Sequence, residues 1–317
     1  MKALVTGGAG FIGSTLVDRL LADGHDVVAL DNLATGTLAN LVDARAHGPR
    51  FSFVEGDIRD RAVVATIAET APEVVMHLAA QADVRVSVTD TFYDAMVNVV
   101  GSVNVLDGAV AAGARKVVFA SSGGTIYGEP APEVLPVSED HPQEPLSPYG
   151  VAKKVVGDYL RAYQALHGLE WTALALANVF GPRQDPHGEA GVIAIFTGLL
   201  LAERECTVFG TGRQTRDFVF VDDVVDAFAR SATQGNGRLL NIGTGEETSV
   251  NRLYEVMAAA AGVARPAQLT PARPGELDRN VLDNSRAREA LGWAPDVSLE
   301  EGISRVIAWF RARQAAA

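Results

Sequence analysis

Two patterns of apolar and polar residues alternate along the first 177 residues. Short apolar runs rich in Val and Leu predict buried strands, and segments with apolar residues every three or four positions predict helices. The predicted strands are 2–6, 26–30, 51–54, 74–78, 116–120 and 172–177, and the predicted helices are 11–22, 61–69, 99–112 and 149–167. Strands that alternate with helices predict an α/β fold with a parallel sheet covered on both faces.

The regular alternation ends near residue 178. Loops rich in Gly, Pro, Arg and Asp follow at 181–186, 210–217 and 271–278, with helical segments between them, among them a buried helix from Val192 to Ala202. We therefore predict an α/β domain over residues 1–177 and a smaller, mostly helical substrate lobe over 178–317. Some segments of this lobe are expected to return to the first domain.

Composition limits the classes of molecule that the protein can bind and indicates its cellular compartment. The net charge of −12 argues against nucleic acid and against an anionic membrane surface, since both need a basic surface. A single cysteine, Cys206, excludes an intramolecular disulfide and a cysteine zinc site, and we predict no metal. The pattern shows neither a signal peptide nor a membrane-spanning run, so we expect a cytoplasmic protein.

A glycine-rich turn follows the first predicted strand. Gly7 and Gly10 belong to a run, residues 7–13, that satisfies both the GxxGxxG and the GxGxxG spacing. The missing side chains let the backbone approach a pyrophosphate, and the amides that open the next helix, at Phe11 and Ile12, favour its charge. The alternative is a glycine-rich turn of some other α/β protein.

Asp31 ends the second predicted strand, 18 residues after Gly13. A carboxylate at this place accepts hydrogen bonds from a ribose whose 2′ and 3′ hydroxyls are free. Asn32 follows it, and no Arg stands beside the pair to receive a 2′-phosphate. The sequence therefore predicts NAD, rather than NADP, as cofactor.

Two further strand ends carry candidate cofactor contacts. Asp57, which Ile58 follows, can accept from the adenine amino group or can cap the next helix. Ala79, Ala80 and Gln81 end the fourth strand, where small residues let the backbone lie against the nicotinamide ribose. Tight packing of small residues explains the second group almost as well.

Tyr149 and Lys153 lie four residues apart on a predicted helix and therefore share a face. A phenol is a poor base at neutral pH, and a neighbouring ammonium stabilises its phenolate. The pair thus predicts a general base for an alcohol that loses hydride. Ser121 and Ser122, after the fifth strand, offer a hydroxyl to the same oxygen. Tyr and Lys at this spacing are common on helices, so the hypothesis depends on the combination with the glycine-rich turn.

Together these motifs resemble the extended short-chain dehydrogenase/reductase family and, within it, the UDP-glucose (UDP-galactose) 4-epimerases. The resemblance covers nearly the whole chain and rests on segments 6–13, 31–36, 55–57, 77–81, 121–128, 149–153, 178–183, 216–218, 221–223 and 273–276. It implies a Rossmann-type doubly wound parallel sheet, NAD, and an isomerase that removes hydride at C4 of a UDP-sugar and returns it to the opposite face.

The resemblance assigns catalysis to Tyr149 and Lys153, both of which also contact the cofactor. The third catalytic residue, a hydroxyl, falls on Ser122 when counted forward from the strand and on Gly123 when counted back from the following Tyr-Gly pair. We assign Ser122 and give Thr125 a contact with the sugar.

Further ligand contacts are implied by the same resemblance. They are Gly36 and Asn98 for the cofactor, and Asn178, Arg183, Val192, Gln214, Arg216, Arg273 and Glu276 for the substrate. Guanidinium groups suit diphosphate oxygens, which favours Arg216 and Arg273 as diphosphate ligands. Surface ion pairs for these arginines, a strand cap for Asn178 and a core-helix position for Val192 are the alternatives.

Residues 123–125 separate this chain from other branches of the family. They read Gly-Gly-Thr, whereas the 4,6-dehydratases have an Asp-Glu pair there and the decarboxylases a Glu. Proton chemistry beyond C4 is therefore not expected. His77 and Cys206 are interpreted as packed residues rather than as a base and a nucleophile.

The sugar preference and the oligomeric state are inferred only from the resemblance to the family. Where the family has a large Tyr in the sugar pocket the chain has Asn280, whose smaller side chain admits a bulkier substituent. UDP-glucuronate 4-epimerisation is the second hypothesis, with Thr125 and Arg183 as candidate donors to the carboxylate. An NAD-binding regulator without catalysis and a reductase that consumes NAD(P)H are the others. Helices near 97–112 and 149–167 resemble the family's four-helix interface and predict a homodimer.

Overall fold

The computed structural model describes residues 1–186, 191–272 and 277–316. The strands are β1 (Lys2–Thr6), β2 (Asp26–Asp31), β3 (Phe51–Glu55), β4 (Val74–His77), β5 (Lys116–Ser122), β6 (Glu170–Leu176), β7 (Asn178–Phe180), β8 (Thr207–Phe209), β9 (Thr215–Arg216), β10 (Phe218–Phe220), β11 (Arg238–Ile242), β12 (Thr248–Ser249) and β13 (Gln268–Thr270). The helices are α1 (Phe11–Ala22), α2 (Val42–Arg45), α3 (Val63–Thr70), α4 (Val84–Thr89), α5 (Thr91–Ala95), α6 (Gly101–Ala111), α7 (Pro148–His167), α8 (Val192–Leu201), α9 (Val221–Ser231), α10 (Val250–Ala261), α11 (Ser285–Leu291) and α12 (Leu299–Ala316). A π-helical turn, Met96–Val100, joins α5 to α6.

Within the described residues the central sheet has seven strands in the order β11-β6-β5-β4-β1-β2-β3, and every neighbouring pair is parallel. The chain fills one side through β2 and β3 and then crosses back to β4. The order therefore reverses between β1 and β4, and a crevice opens at the carboxyl ends of these two strands. Nucleotides bind at such reversal points in open parallel sheets. The predicted fold class is confirmed.

The start of α1 lies very close to the ends of β1 and β4. A Cβ at Gly13 would stand 2.0 Å from the carbonyl oxygen of Gly7, and a Cβ at Gly7 would stand 2.8 Å from the amide nitrogen of Ala79. Gly7 also has φ +70°, a conformation that other residues rarely adopt. These two positions thus require glycine for packing as well as for ligand approach.

The second half of the chain contributes to both units. β11 pairs with β6 at the edge of the central sheet, and α9 packs against α1. The remaining pieces of the substrate lobe are small two-stranded pairings, β7 with β10, β8 with β13 and β9 with β12, together with α8, α10 and α12. Two elements after residue 177, α9 and β11, therefore pack with elements that precede it, and the division into two domains at this residue stays a prediction.

Residues 84–95 form two short helices where the sequence pattern gave no element. Their β-branched residues have low helix propensity. Each helix instead begins at an aspartate cap: Asp83 accepts from the amide of Arg85 at 2.7 Å, and Asp90 accepts from that of Tyr93 at 2.9 Å. Side-chain capping thus overrides local propensity here. No helix in the described ranges is long and apolar enough to cross a bilayer.

Candidate active site

The glycine-rich turn presents the first amides of α1 to the crevice. Gly10 occupies the N-cap position, and no side-chain cap bonds to this end within the described structure. Phe11 and Ile12 are the first helical residues, whose amides have no acceptor inside the helix. The helix therefore offers N–H donors and the positive end of its dipole to an anion.

Asp31 is held in place at the end of β2. One carboxylate oxygen accepts from the amide of Ala9 at 2.9 Å and the other from that of Leu33 at 2.8 Å. A Cβ at Gly36 would lie 3.0 Å from both oxygens, so glycine at that position keeps a side chain off the carboxylate. Each oxygen keeps capacity for a second donor. This arrangement fits a ribose diol, and the residues of the turn and of β2 fit a dinucleotide.

Asp57 lies beside Asn32 at the edge of the sheet. Asn32 donates to the Asp57 carboxylate at 2.9 Å, and the Arg59 guanidinium pairs with it at 2.6 Å. The hydrogen bonds from Arg59 and Asn32 hold the pKa of Asp57 well below its usual range. Asp57 thus organises a local turn. Its predicted contact with adenine stays a prediction, as do the predicted cofactor contacts of Asn32 and of the buried Ile58.

A cavity of about 220 Å³ lies beyond the carboxyl ends of β5 and β6. Among its lining residues it brings together five that the sequence predicted for catalysis or substrate binding: Ser122, Thr125, Tyr149, Asn178 and Arg216. Ser122 ends β5, Thr125 lies in the turn that follows it, and Tyr149 lies on α7, whereas Asn178 and Arg216 belong to β7 and β9. The cavity therefore brings the predicted catalytic residues next to the predicted substrate ligands.

Lys153 is buried directly behind Tyr149. Its Nζ donates to the carbonyl oxygen of Ala120 at 2.8 Å and lies 5.5 Å from the centre of the Tyr149 ring. The ring of Phe119 stands 4.8 Å from the same ammonium. The positive charge is thus fixed close to the phenol, as the spacing of the two residues on a helix predicts.

The structure distinguishes between the two positions considered for the third hydroxyl. Ser122 lines the cavity as the last residue of β5. A Cβ at Gly123 would stand 2.4 Å from a methyl group of Leu282, so residue 123 faces the packed interior. Only a residue without a side chain fits there. Ser122 and Thr125 both line the cavity, and the assignment of the catalytic hydroxyl to Ser122 stays a prediction.

Other predicted ligand residues are placed elsewhere. Arg183 pairs with Asp18 at 2.6 Å and with Asp43 at 3.6 Å, beside α1 and α2. Gln214 donates to the carbonyl oxygen of Phe209 at 2.9 Å. Neither side chain lines the cavity. Arg183 pairs with the acids of α1 and α2 through Nη2, whereas its Nη1 atom has no hydrogen-bond partner within the described residues. Its contact with the substrate stays a prediction.

Three further predictions concern Val192, Arg273 and Glu276. Val192 is the first residue of α8 and is half-buried against the core, the alternative interpretation of it. Arg273 and Glu276 lie outside the described residues.

Asp217 is a supporting residue that sequence reasoning did not single out. It is fully buried, and its carboxylate accepts from the amide and hydroxyl of Thr244, from the amide of Gly245 and from that of Leu282, at 2.7–3.3 Å. Burial raises its pKa. These bonds join the substrate lobe to the segment before α11, next to Arg216. In the sequence, only its position between Arg216 and the aromatic strand β10 could have indicated that Asp217 is buried near the site.

His77 is a packed residue, as predicted. Nδ1 lies 2.8 Å from the hydroxyl of Thr6, and Nε2 lies 2.9 Å from that of Ser102. The Ser102 hydroxyl in turn donates to the carbonyl oxygen of Asn98. Burial and then the Lys153 ammonium lower the pKa of His77 to about 3, so the ring is neutral and serves as a link between β4 and the π-helical turn.

This fold and this cavity define a member of the extended short-chain dehydrogenase/reductase class. The chain belongs to the family described as GDP-mannose 4,6 dehydratase, whose model matches residues 4–306. The family description names a dehydratase, but residues 123–125 of this chain carry no acid.

Individual relatives match over almost their full length. A UDP-glucose 4-epimerase of Mycolicibacterium smegmatis is 53% identical over 98% of this chain and 99% of its own. A crystal structure of the UDP-glucose 4-epimerase of Thermotoga maritima with UDP-glucose superposes with a TM-score of 0.94 at 42% identity, covering 99% of this chain and 100% of that one. The Thermus thermophilus enzyme in complex with NAD gives 0.91 at 42% identity, covering 98% and 99%.

The environment of His77 predicts a pH dependence of stability. The unfolded chain binds a proton at His77 below about 6.5, whereas the folded chain does so only near pH 3, so its contribution is complete above pH 6.5 and declines as the pH falls. In a His77→Gln variant we expect the slope of the unfolding free energy between pH 6 and 4 to decrease by roughly 1.4 kcal/mol per pH unit. Denaturant titrations at several pH values measure this slope. The exposed His167→Gln variant is the control, and parallel curves for wild type and His77→Gln would contradict the assignment.

Proposed function

We propose that this protein is an NAD-dependent UDP-glucose (UDP-galactose) 4-epimerase. The observation that carries the proposal is the cavity in which Tyr149 and Ser122 meet Asn178 and Arg216. It joins a base and a hydroxyl to groups that suit a nucleotide diphosphate. The solved relatives, one with UDP-glucose and one with NAD, support both ligands.

The base is Tyr149 in this proposal. The Lys153 ammonium, fixed by the carbonyl oxygen of Ala120, stabilises the phenolate through space. Tyr149 takes the proton of the C4 hydroxyl while Ser122 hydrogen-bonds to the same oxygen, and the proton returns from Tyr149 when C4 is reduced again. NAD, when bound, accepts the C4 hydride and later supplies it.

Inversion requires the oxidised sugar to turn while the nucleotide stays bound. The proposed diphosphate contacts, Asn178 and Arg216, lie in the substrate lobe. The cavity lining also includes the apolar side chains of Val84, Leu176 and Leu277. Apolar walls hold a sugar through few directional bonds, so the 4-keto sugar can present either face of C4 while the diphosphate keeps it tethered.

The glucuronate alternative has less support. A carboxylate at C6 needs cationic or hydroxyl donors near the sugar. Arg183, the candidate guanidinium, is paired with Asp18 and Asp43. Thr125 remains as a donor, and Asn280 lines the cavity with an Oδ1 atom that has no hydrogen-bond partner within the described residues. An unpaired acceptor favours a sugar hydroxyl over a carboxylate.

We also propose a cytoplasmic site of action. The only cysteine of the chain, Cys206, is buried and free, so the fold uses no disulfide. Proteins without disulfides are typical of reducing compartments.

Replacement of Tyr149 tests the catalytic assignment. In Tyr149→Phe the phenol that moves the proton is lost while the ring is kept, so we expect the conversion of UDP-glucose to UDP-galactose to fall by a factor on the order of 10²–10⁴. Binding of UDP-glucose, measured by calorimetry, and the NAD content of the purified protein are expected to stay near wild type.

Tyr163→Phe is the matched control. It removes a phenol from the same helix that bonds to Asp107 rather than facing the cavity. Near-normal turnover in Tyr149→Phe would refute the assignment, and equal losses in both variants would show a general effect of altering α7.

We propose that two copies of this chain pair through α6 and α7. Along α7 a stripe on one helix face is formed by exposed residues together with the half-buried Val155: Val151, Val155, Tyr159, Ala162 and Leu166. Leu166 is 75% exposed, and Val100, the last residue of the π-helical turn before α6, is 40% exposed. An apolar stripe on a surface helix needs a partner face. The same face on a second copy is self-complementary under twofold symmetry.

The oligomeric state tests this interface. Sedimentation equilibrium is expected to give about twice the monomer mass of 33.4 kDa. A Leu166→Glu substitution places a charge within the stripe, so the measured mass is expected to shift towards the monomer. Leu269→Glu, at an equally apolar position that is 63% exposed on β13, is the control. A monomeric wild type, or a Leu166→Glu variant as dimeric as the control, would contradict the interface.

A further inference from the structure

The loop between β4 and α4, residues 78–83, forms one wall of the candidate active site. Ala82 lines the cavity together with Tyr149 and Ser122. Ala79 also lies against Gly7 of the glycine-rich turn. The position of this loop therefore determines the space between the dinucleotide crevice and the catalytic groups.

Asn98, on the π-helical turn, holds the backbone of this loop. Its Oδ1 accepts from the amide of Gln81 at 3.0 Å, and its Nδ2 donates to the carbonyl oxygen of Gln81 at 2.8 Å. The side chain of Asn98 thus pairs with both backbone groups of one residue, as a neighbouring strand would. The buried side chain of Asn98 thus satisfies backbone hydrogen-bonding groups that a strand or helix would otherwise satisfy.

Asp94 connects the two residues of this pair. Its Oδ1 accepts from Nδ2 of Asn98 at 2.8 Å and from Nε2 of Gln81 at 2.9 Å. The other donor position of the Gln81 amide bonds to the carbonyl oxygen of Asp83 at 3.0 Å, and its Oε1 accepts from the amide of Asp83 at 2.6 Å. Asp94 itself is only 1% exposed.

The side-chain amides of Asn98 and Gln81 have no N–H group left for a ligand. Both N–H groups of the Asn98 amide and both of the Gln81 amide are engaged by the loop and by Asp94. An amide has two N–H donors, so neither side chain keeps one for a ligand. The two residues support the loop, and their predicted direct contact with the cofactor stays a prediction.

The network continues to the glycine-rich turn. The carbonyl oxygen of Asn98 accepts from Ser102, which His77 joins to Thr6. Thr6 in turn accepts from the amides of Leu78 and Ala79 at 3.2 Å. Both ends of the loop are therefore fixed by buried hydrogen bonds that start from the same π-helical turn, and such turns occur often at functional sites.

We propose that Asp94 is a positioning residue for the reaction, which fixes loop 78–83 through Gln81 and Asn98. This proposal rests on the proposed function, in which the loop lies between the cofactor and the sugar. Without the carboxylate oxygen two buried amide donors lose their acceptor at once, and each unpaired buried donor carries a desolvation penalty. The loop then shifts to satisfy them, and the distance between the cofactor and Tyr149 changes. Asp94 touches neither reactant, so its effect is on geometry.

Two substitutions at one position separate hydrogen bonding from bulk and charge. Asp94→Ala removes the acceptor, and we expect kcat to fall roughly 10- to 100-fold, since a misplacement of about 1 Å can cost that much. KM for UDP-glucose is expected to change less than about threefold, because Asn178 and Arg216 lie in the other lobe. Asp94→Asn keeps an Oδ1 that accepts both donors, and we expect it to restore kcat to within about threefold of wild type.

Asp223→Ala is the matched control. Asp223 is also a buried carboxylate that accepts from two backbone amides, those of Asp296 and Val297, but it lies on α9 and does not line the cavity. It is expected to lower the melting temperature without the selective loss of kcat. Should Asp94→Ala not fold, Gln81→Met removes one arm of the network at nearly constant volume and is expected to reduce kcat in the same direction.

Hydrogen exchange supplies a readout that does not depend on activity. The amides of residues 78–83 are expected to exchange faster in Asp94→Ala than in wild type and Asp94→Asn, while those of β1 are unchanged. Unchanged exchange in the loop, an Asp94→Asn variant as impaired as Asp94→Ala, or equal kcat losses in Asp94→Ala and the Asp223→Ala control would overturn the proposal. A wild-type protein that epimerises no UDP-sugar would instead refute the proposed function, and loop exchange would still decide the role of Asp94.

Discussion

The close approach of α1 to the ends of β1 and β4 is the constraint on which the rest of the site depends. Gly13 against the carbonyl group of Gly7, and Gly7 against Ala79, leave no room for a Cβ. This contact aims the first amides of α1 at the point where the strand order reverses. It also brings the end of β4 against the glycine-rich turn, so the dinucleotide crevice and the loop beside the catalytic groups are built from one packing arrangement.

Buried polar networks then hold the parts that the sheet alone does not fix. Ser122 ends a strand of the sheet and Tyr149 lies on α7, but in the loop after β4 only Leu78 and Ala79 bond to a strand residue, Thr6 of β1, among the described contacts. Asp94 and Asn98 supply the missing bonds on one side of the cavity. Asp217 performs a similar task on the other side, where it ties the turn at Thr244 to Leu282 next to Arg216. Each network satisfies backbone groups that would otherwise be buried without partners.

This arrangement explains how the sugar can be oxidised and reduced again at C4 without release of the 4-keto intermediate. Groups with a fixed charge or hydroxyl lie at the sheet end, behind and beside the reacting carbon. In the proposed function the groups that suit the nucleotide, Asn178 and Arg216, hold the substrate at one end only. The cavity of about 220 Å³ that they line also contains apolar side chains, beside which the proposed 4-keto sugar turns.

Much of this arrangement can be predicted from the sequence, and the failures have physical causes. Strand β1 and helix α1 agree with the predicted bounds residue for residue, because the apolar run and the glycines are local signals. The Tyr149–Lys153 face follows from helix geometry alone. Helices α4 and α5 were missed because aspartate caps outweigh the low helix propensity of β-branched residues there. Strand β11 was missed because nothing in its local sequence indicates that it pairs with β6, more than sixty residues earlier.

The partners of individual side chains were the feature least predictable from the sequence. In the sequence Arg183 is a candidate ligand for an anion, but its Nη2 atom pairs with Asp18 and Asp43, more than a hundred residues earlier. The Asp94 network could not be predicted for the same reason, because the bonds from Gln81 to Asp94 and Asn98 join residues 13 and 17 positions apart. Local patterns identify which residue types are present, whereas tertiary contacts decide which of them are engaged.

The central claim is that hydrogen leaves C4 of the sugar and returns to the same carbon inside a closed site. The most direct test uses UDP-glucose that carries deuterium at C4, incubated with the purified protein in ordinary water without added NAD. The product is then examined by NMR spectroscopy. The account predicts UDP-galactose that retains its deuterium at C4. Product in which solvent hydrogen has replaced deuterium at C4, or conversion that requires continued consumption of added cofactor, would contradict it.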